Sequence, residues 1–220
     1  DTHIQKNRHS NDSKVSLETV IFQAQKIGLD GICITNHENQ KIKKTAYKLA
    51  QKTDLLILVG AEILTYEGDI LVFGLDKLPE RKMHAHELIE IVNKAGGITI
   101  SAHPFRNNHR GIGNKIKNLT GLTGVEVLNG STSSENNIKA YNLAKKLKLP
   151  CLGASDAHHS KRIGKYATYF EDKITNMTDF INAIKNNRVS QAVYYNNNFH
   201  VIEKVEETQD IFNDNRFAVK

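Results

Sequence analysis

Four short apolar runs in this chain each stop at a histidine or a carboxylate, and this restricts the folds open to it. Ile32-Cys33-Ile34-Thr35 leads into Asn36-His37, and Leu55 to Gly60 into Ala61-Glu62. Ile98-Thr99-Ile100-Ser101 leads into Ala102-His103, and Pro150 to Ala154 into Ser155-Asp156-Ala157-His158. Residues two apart in an extended segment share a side, so Asp156 and His158 point the same way. The run over 31–35 is continuous rather than alternating, the mark of a strand buried on both faces of a parallel sheet. Further strands are expected over 1–4, 68–74 and 124–128, and a weaker one over 166–170.

Helical periodicity fills the intervals. Val20, Ile21, Ala24 and Ile27 follow a Ser16 cap and end at Gly28; Ile42, Ala46, Leu49 and Ala50 share a face within 40–51. Leu88, Ile89 and Val92 do so within 83–95, and two more helices are expected over 135–147 and 177–186. Alternating strand and helix predict right-handed crossovers and a closed or nearly closed parallel α/β barrel. In such a barrel the carboxyl ends of the strands converge on one face, so ligands distant in sequence become neighbours.

A chain of 220 residues fits one domain with a short appendage. The main unit is expected over 1–190, followed by a C-terminal hairpin or partly flexible extension over 191–220. No stretch approaches the ~18 continuous apolar residues of a membrane span. No secretory signal stands out, and because the chain starts at Asp1 its true start is expected upstream. Cys33 and Cys151 sit inside apolar runs and read as small buried thiols, which suits a reducing cytoplasm. The net charge of +6 suits a phosphorylated partner. The lysines are scattered over helical faces, so nucleic acid is not the favoured partner.

His3, His37, Glu62, His103, Asp156 and His158 all fall at or just past strand ends, which predicts a polynuclear metal site. Imidazole with carboxylate suits Zn, Mn or Fe, and the lack of cysteine ligands argues against a purely structural zinc. Divalent ions held close together lower the pKa of a shared water and clamp phosphate oxygens. No Ser-His-Asp set or phosphate-cradling glycine loop competes. Gly111-Ile112-Gly113 lacks the strand-to-helix setting of a dinucleotide fingerprint.

Five ordered motifs resemble the polymerase-and-histidinol-phosphatase (PHP) family. They are Asp1-Thr2-His3-Ile4 with Asn7 to Ser13, Gly28 to His37, Gly60-Ala61-Glu62, Ser101-Ala102-His103-Pro104 and Ala154 to His158. The resemblance implies a distorted (β/α)7 TIM-like barrel holding two or three divalent ions and hydrolysing phosphomonoesters or phosphodiesters. It also implies that His3, Glu62 and Asp156 share one ion, that Glu62 bridges to a second on His103, and that Asp12, His37 and His158 hold a third.

The chain departs from the family pattern twice. Gln5 stands where the family carries a second histidine; an amide is a poor ligand, so that site is expected to be weak, empty or restricted to a hard ion such as Mn or Mg. His9 is a substitute only if its loop folds back. Asp69 stands where many relatives place a ligating histidine and is a candidate weak ligand or a turn residue.

Arg106, three residues beyond His103, is the leading candidate to grip a phosphate, with His109 and Arg110 beside it and Lys161 and Arg162 as further candidates. His158 is the candidate to assist the leaving oxygen. Glu126, on the strand over 124–128, is a candidate to hydrogen-bond a ligand histidine. The short interval between residues 74 and 98 leaves no room for a large cap, so an open site for small nucleotide-like phosphates is expected. Histidinol phosphate is a rival substrate. The alternatives are a phosphate-binding or regulatory module whose catalysis has lapsed through Gln5, and a basic nucleic-acid-binding module.

Overall fold

The computed structural model describes residues 15–208. The expected first strand, with His3, Gln5, His9 and Asp12, lies outside the described residues, as does the tail from 209 onward. Helix α1 (Leu17–Lys26) is capped by Ser16, whose Oγ accepts the Thr19 N–H at 3.2 Å, and it buries Leu17, Val20, Ile21 and Ala24. These pack with Ile32, Ile34, Ile57 and Val59 of strands β1 (Gly31–Ile34) and β2 (Leu56–Val59), which run parallel. The connecting helix α2 spans Lys43–Ala50, shorter than the expected 40–51.

The apolar run expected as one strand over 55–62 is two. A Cβ at Gly60 would stand 2.6 Å from the Phe73 ring and from the Val72 carbonyl oxygen, so only glycine admits this close approach. Beyond it, β3 (Ala61–Leu64) joins a second, five-stranded sheet ordered β3, β4 (Asp69–Phe73), β5 (Ile98–Ser101), β6 (Gly124–Asn129) and β7 (Cys151–Ala154).

The expected all-parallel order fails at β4, which runs antiparallel to both neighbours. Leu64 pairs with Asp69, leaving four residues to connect β3 and β4. That is enough for a hairpin, whereas a parallel crossover needs a dozen or more. The turn is fastened by the Thr65 hydroxyl, which donates to the Gly68 carbonyl at 2.6 Å and accepts the Gly68 N–H at 3.2 Å. The reversal brings the amino end of β4 to the rim where β5 ends, and the Ala102 N–H donates to the Asp69 carbonyl at 3.2 Å.

Helices α3 (Ala85–Lys94) and α4 (Ser134–Leu147) cover the five-stranded sheet. A third, antiparallel sheet holds β8 (Tyr166–Phe170), β9 (Val189–Tyr195) and β10 (Asn198–Val201), with α5 (Met177–Lys185) between β8 and β9. β9 and β10 form a hairpin that turns at Asn196 and Asn197 with φ of 51° and 62°. The division expected after residue 190 falls inside β9. Val193, Ile202 and Val205 are buried in the same apolar cluster as Val72 and Val125.

Among the described residues the strands fall into these three hydrogen-bonded sheets. His37 bridges to Glu62 between the first and second. Between the second and third, the Thr168 hydroxyl donates to the Gly153 carbonyl at 2.9 Å and Ser155 Oγ to the Tyr166 carbonyl at 3.0 Å. No helix among the described residues is long and apolar enough to cross a membrane.

Candidate metal centre

The rim formed by the end of β1, the Gly60 kink, the start of β4 and the end of β5 collects the first group of candidate ligands. Glu62, Asp69 and His103 are each at most 2% exposed, and one ligand atom from each lies within 4.8 Å of the others. Glu62 Oε1 is 3.0 Å from His103 Nε2, and Glu62 Oε2 is 2.7 Å from His37 Nδ1. Asp69 Oδ2 is 3.7 Å from His103 Nε2. Asp69 also accepts a forked pair from Arg110, with Nε to Oδ2 at 2.6 Å and Nη2 to Oδ1 at 2.9 Å.

The second group follows β7. Asp156 Oδ2 accepts from Arg106 Nη1 at 2.6 Å, and His158 Nδ1 is 3.5 Å from Asp156 Oδ1. The Ser155 hydroxyl, which receives the Gly164 N–H at 2.8 Å, pins the segment just before Asp156. His37 and His158, at the two ends of this constellation, have ring centroids 6.3 Å apart. His103 and Asp156 adopt φ of 30° and 46°, in the left-handed region that few side chains tolerate and that recurs where a residue is held for a task.

Glu126 lies beneath both groups on β6. Its Oε2 accepts the backbone N–H of His103 at 2.9 Å and the amide of buried Asn129 at 3.0 Å. It therefore fixes the His103 backbone rather than the imidazole. Asn129 was not singled out in the sequence, although a polar residue closing the apolar run over 124–128 is the signal that marks it. Arg162, among the expected phosphate candidates, reaches the rim indirectly. Its Nη1 donates to Ser131 Oγ at 3.1 Å, and that hydroxyl donates to the Asp156 carbonyl at 3.2 Å. His109 sits between Arg106 and Arg110 on their loop, with a left-handed φ of 60°.

The electrostatics are those of a site built for cations. Burial pushes the Asp69 and Glu126 carboxyls above their ordinary range, and a neighbouring carboxylate, Glu62 for one and Asp156 for the other, adds to the rise. Burial alone would lower the His103 imidazole, but its hydrogen bond to Glu62 and the charges of Glu62, Glu126 and Asp156 lift it to about 9. Glu126 Oε1 and His103 Nδ1 are buried without a hydrogen-bond partner. Four buried carboxylates with imidazoles between them fit divalent ions that take oxygen and nitrogen ligands.

A family model described as PHP-associated matches residues 134–189, from α4 into the start of β9. An uncharacterized protein of Methanocaldococcus jannaschii is 30% identical over 118 residues, which is 54% of this chain and 68% of that protein. The chain belongs to the PHP family. Solved structures of similar fold include a candidate metal-dependent phosphoesterase of Bifidobacterium adolescentis, with TM-score 0.61 and 18% identity over 73% of this PHP chain and 87% of the other. PsfC of Pseudomonas syringae matches with TM-score 0.63 and 17% identity, over 89% and 87% of the two chains. The lesion-specific endonuclease PfuEndoQ of Pyrococcus furiosus matches with TM-score 0.58 and 19% identity, over 84% of this chain and 55% of the endonuclease. At these identities the likeness establishes a shared α/β fold.

Proposed function

We propose that this PHP protein is a metal-dependent hydrolase of phosphate esters. The observation that carries the reading is the buried Glu62–Asp69–His103 group, joined by His37 and faced from the same rim by Arg106 and Arg110. Glu62, with a separate oxygen toward each of two imidazoles, is suited to bridge two ions; Asp69 and His103 would complete one side and His37 the other. Asp156 and His158, with His3 and Asp12 from the amino-terminal motif, would hold the remainder. When bound, such ions supply a Lewis acid for phosphate oxygens and acidify a water.

The chain's own groups do the rest. Arg106 is 27% and Arg110 35% exposed, so each guanidinium reaches from a buried carboxylate toward the open rim, where its planar fork matches two phosphate oxygens. His158, 18% exposed, lies at the mouth beside Asp156, where it would hold an ion rather than give a proton to the leaving oxygen. The substrate is a small nucleotide-like phosphate, the ions Mn, Zn or Fe, and the three sheets close as a distorted (β/α)7 barrel. The free thiols Cys33 and Cys151 suit the cytoplasm.

The test is metal analysis of protein purified without chelator, with phosphate release measured on 5'-mononucleotides, 3',5'-bisphosphates and glycerol 2-phosphate. Chelator should abolish turnover and Mn²⁺ should restore it. Protein that retains no metal and hydrolyses none of these esters would sink the reading.

A further inference from the structure

The β3–β4 hairpin that delivers Asp69 to the rim carries a second feature on its tip. Tyr66 stands two residues beyond the last paired position, in the four-residue turn that leads into Asp69. It is a large aromatic ring, 59% exposed, where burial would stabilise the fold and exposure does not. Its neighbours are rings and cations. The His84 ring centroid is 4.8 Å away, His86 stacks on His84 at 5.7 Å with planes 22° apart, and Lys82 Nζ lies 5.2 Å from the Tyr66 centroid.

The row is held rigid from below. The Tyr66 N–H donates to the Met83 carbonyl at 3.1 Å. Glu67 receives the Ala85 N–H at the start of α3 at 2.7 Å and lies 2.7 Å from His84 Nδ1. Burial raises the Glu67 carboxyl more than any single partner lowers it, but His84 and the Ala85 N–H together more than offset it, so the carboxyl lies below its ordinary range and its charge is spent on them. The tip is also stitched to the loop that bears the arginines. The Asp69 N–H donates to the Arg110 carbonyl at 2.8 Å, and Gly68, at φ 147°, lies so close to Arg110 and Ile112 that a Cβ there would meet their backbone at 2.6 and 2.7 Å. One side of the hairpin therefore presents Asp69 and Arg110 to the rim, while its tip presents an exposed aromatic ledge with a lysine above it.

We propose that the Tyr66–His84–His86 row, with Lys82, is a stacking subsite for the nucleobase of a nucleoside phosphate whose phosphate lies at Arg106 and Arg110. The proposal rests on the phosphoesterase reading for the position of the phosphate. Every base offers a π-face to a rigid ring, so the ledge selects nucleotides over simple phosphate esters without reading sequence. Free mononucleotides and the ends of single strands share this chemistry.

The experiment compares Tyr66→Ala and Tyr66→Phe with the unaltered protein, Mn²⁺-loaded, on three substrates: 5'-dTMP, a 5'-phosphorylated thymidine octamer and glycerol 2-phosphate. Tyr66→Ala should raise KM for a nucleotide substrate about 5- to 100-fold, leaving its kcat and the KM for glycerol 2-phosphate in place, and Tyr66→Phe should restore it. An effect on 5'-dTMP alone assigns mononucleotides, and one on the octamer alone assigns strand ends. Equal changes on all three substrates, or none, would overturn the ledge. Should the unaltered protein hydrolyse nothing, the phosphoesterase reading fails. Titration with 5'-dTMP then decides the ledge, at least five-fold weaker binding by Tyr66→Ala supporting it and equal binding overturning it.

Discussion

The two edges of the five-stranded sheet hold their buried carboxylates in different ways. At the β3 edge Glu62 faces two imidazoles, His37 and His103, whereas beyond the β7 edge Asp156 faces a guanidinium, Arg106, at 2.6 Å and a single imidazole, His158, at 3.5 Å. An imidazole can exchange its proton for a metal ion and remain a ligand; a guanidinium has no lone pair to offer and stays a cation. The β3 edge is thus suited to binding ions, and the β7 edge to binding ions on one side and an anion through Arg106 on the other. His37, which bridges to Glu62 of β3, and His158, which follows β7, have ring centroids 6.3 Å apart, so the two groups meet.

The comparison breaks most visibly at Glu62. Glu62→Ala should lower kcat/KM on phosphate esters by at least about 10³-fold, the several kcal/mol that metal participation supplies, and reduce bound metal. Full metal content in that variant would place the ions at the β7 edge instead. A second effect, on the order of 3 kcal/mol, belongs to the metal-free protein and its pH dependence. The folded His103 pKa of about 9 lies above the ordinary 6.5, so its contribution to stability is complete below pH 6.5 and is lost as pH rises through 9. Urea unfolding of chelated protein at pH 6 and pH 9.5 should show this loss, and His103→Gln should remove it. An unchanged pH dependence in that variant would locate the linkage elsewhere.

Arg106→Ala tests the β7 edge and should lower kcat/KM about 10- to 100-fold, the range of a charge-assisted hydrogen bond, with metal content retained. Loss of metal instead would show that Arg106 supports the ligands rather than the substrate. The smallest effect is a control far from either edge. Asn176 caps α5 by accepting the Asp179 N–H at 3.0 Å, and Asn176→Ala should cost about 1 kcal/mol of stability with kcat/KM unchanged.

The pattern of apolar runs placed β1, β5, β6 and β7 within a residue or two, because a buried strand is mostly apolar and ends where the chain turns polar; β5, β6 and β7 are buried on both faces, whereas β1, expected to be so, alternates half-buried Gly31 and Cys33 with buried Ile32 and Ile34. His37, His103, Asp156 and His158 were legible for the same reason. Asp69 was ambiguous because the rule seeks ligands after a strand, and Asp69 precedes one; the antiparallel course of β4 alone carries it to the rim. The fork from Arg110 to Asp69, across 41 residues of sequence, left no local trace. The Gly60 break was hidden inside a run that is apolar on both sides of it, its cause being the Phe73 ring from another strand.

By itself the sequence determined which residues leave water and which polar groups stand at the ends of those segments, since burial and backbone periodicity act over a few neighbours. Only the tertiary structure decided how those groups partner: the reversal of β4, the sharing of Glu62 between two histidines and the hold of Glu126 on the His103 backbone. Those depend on contacts between segments brought together from afar, whose energies no local pattern encodes.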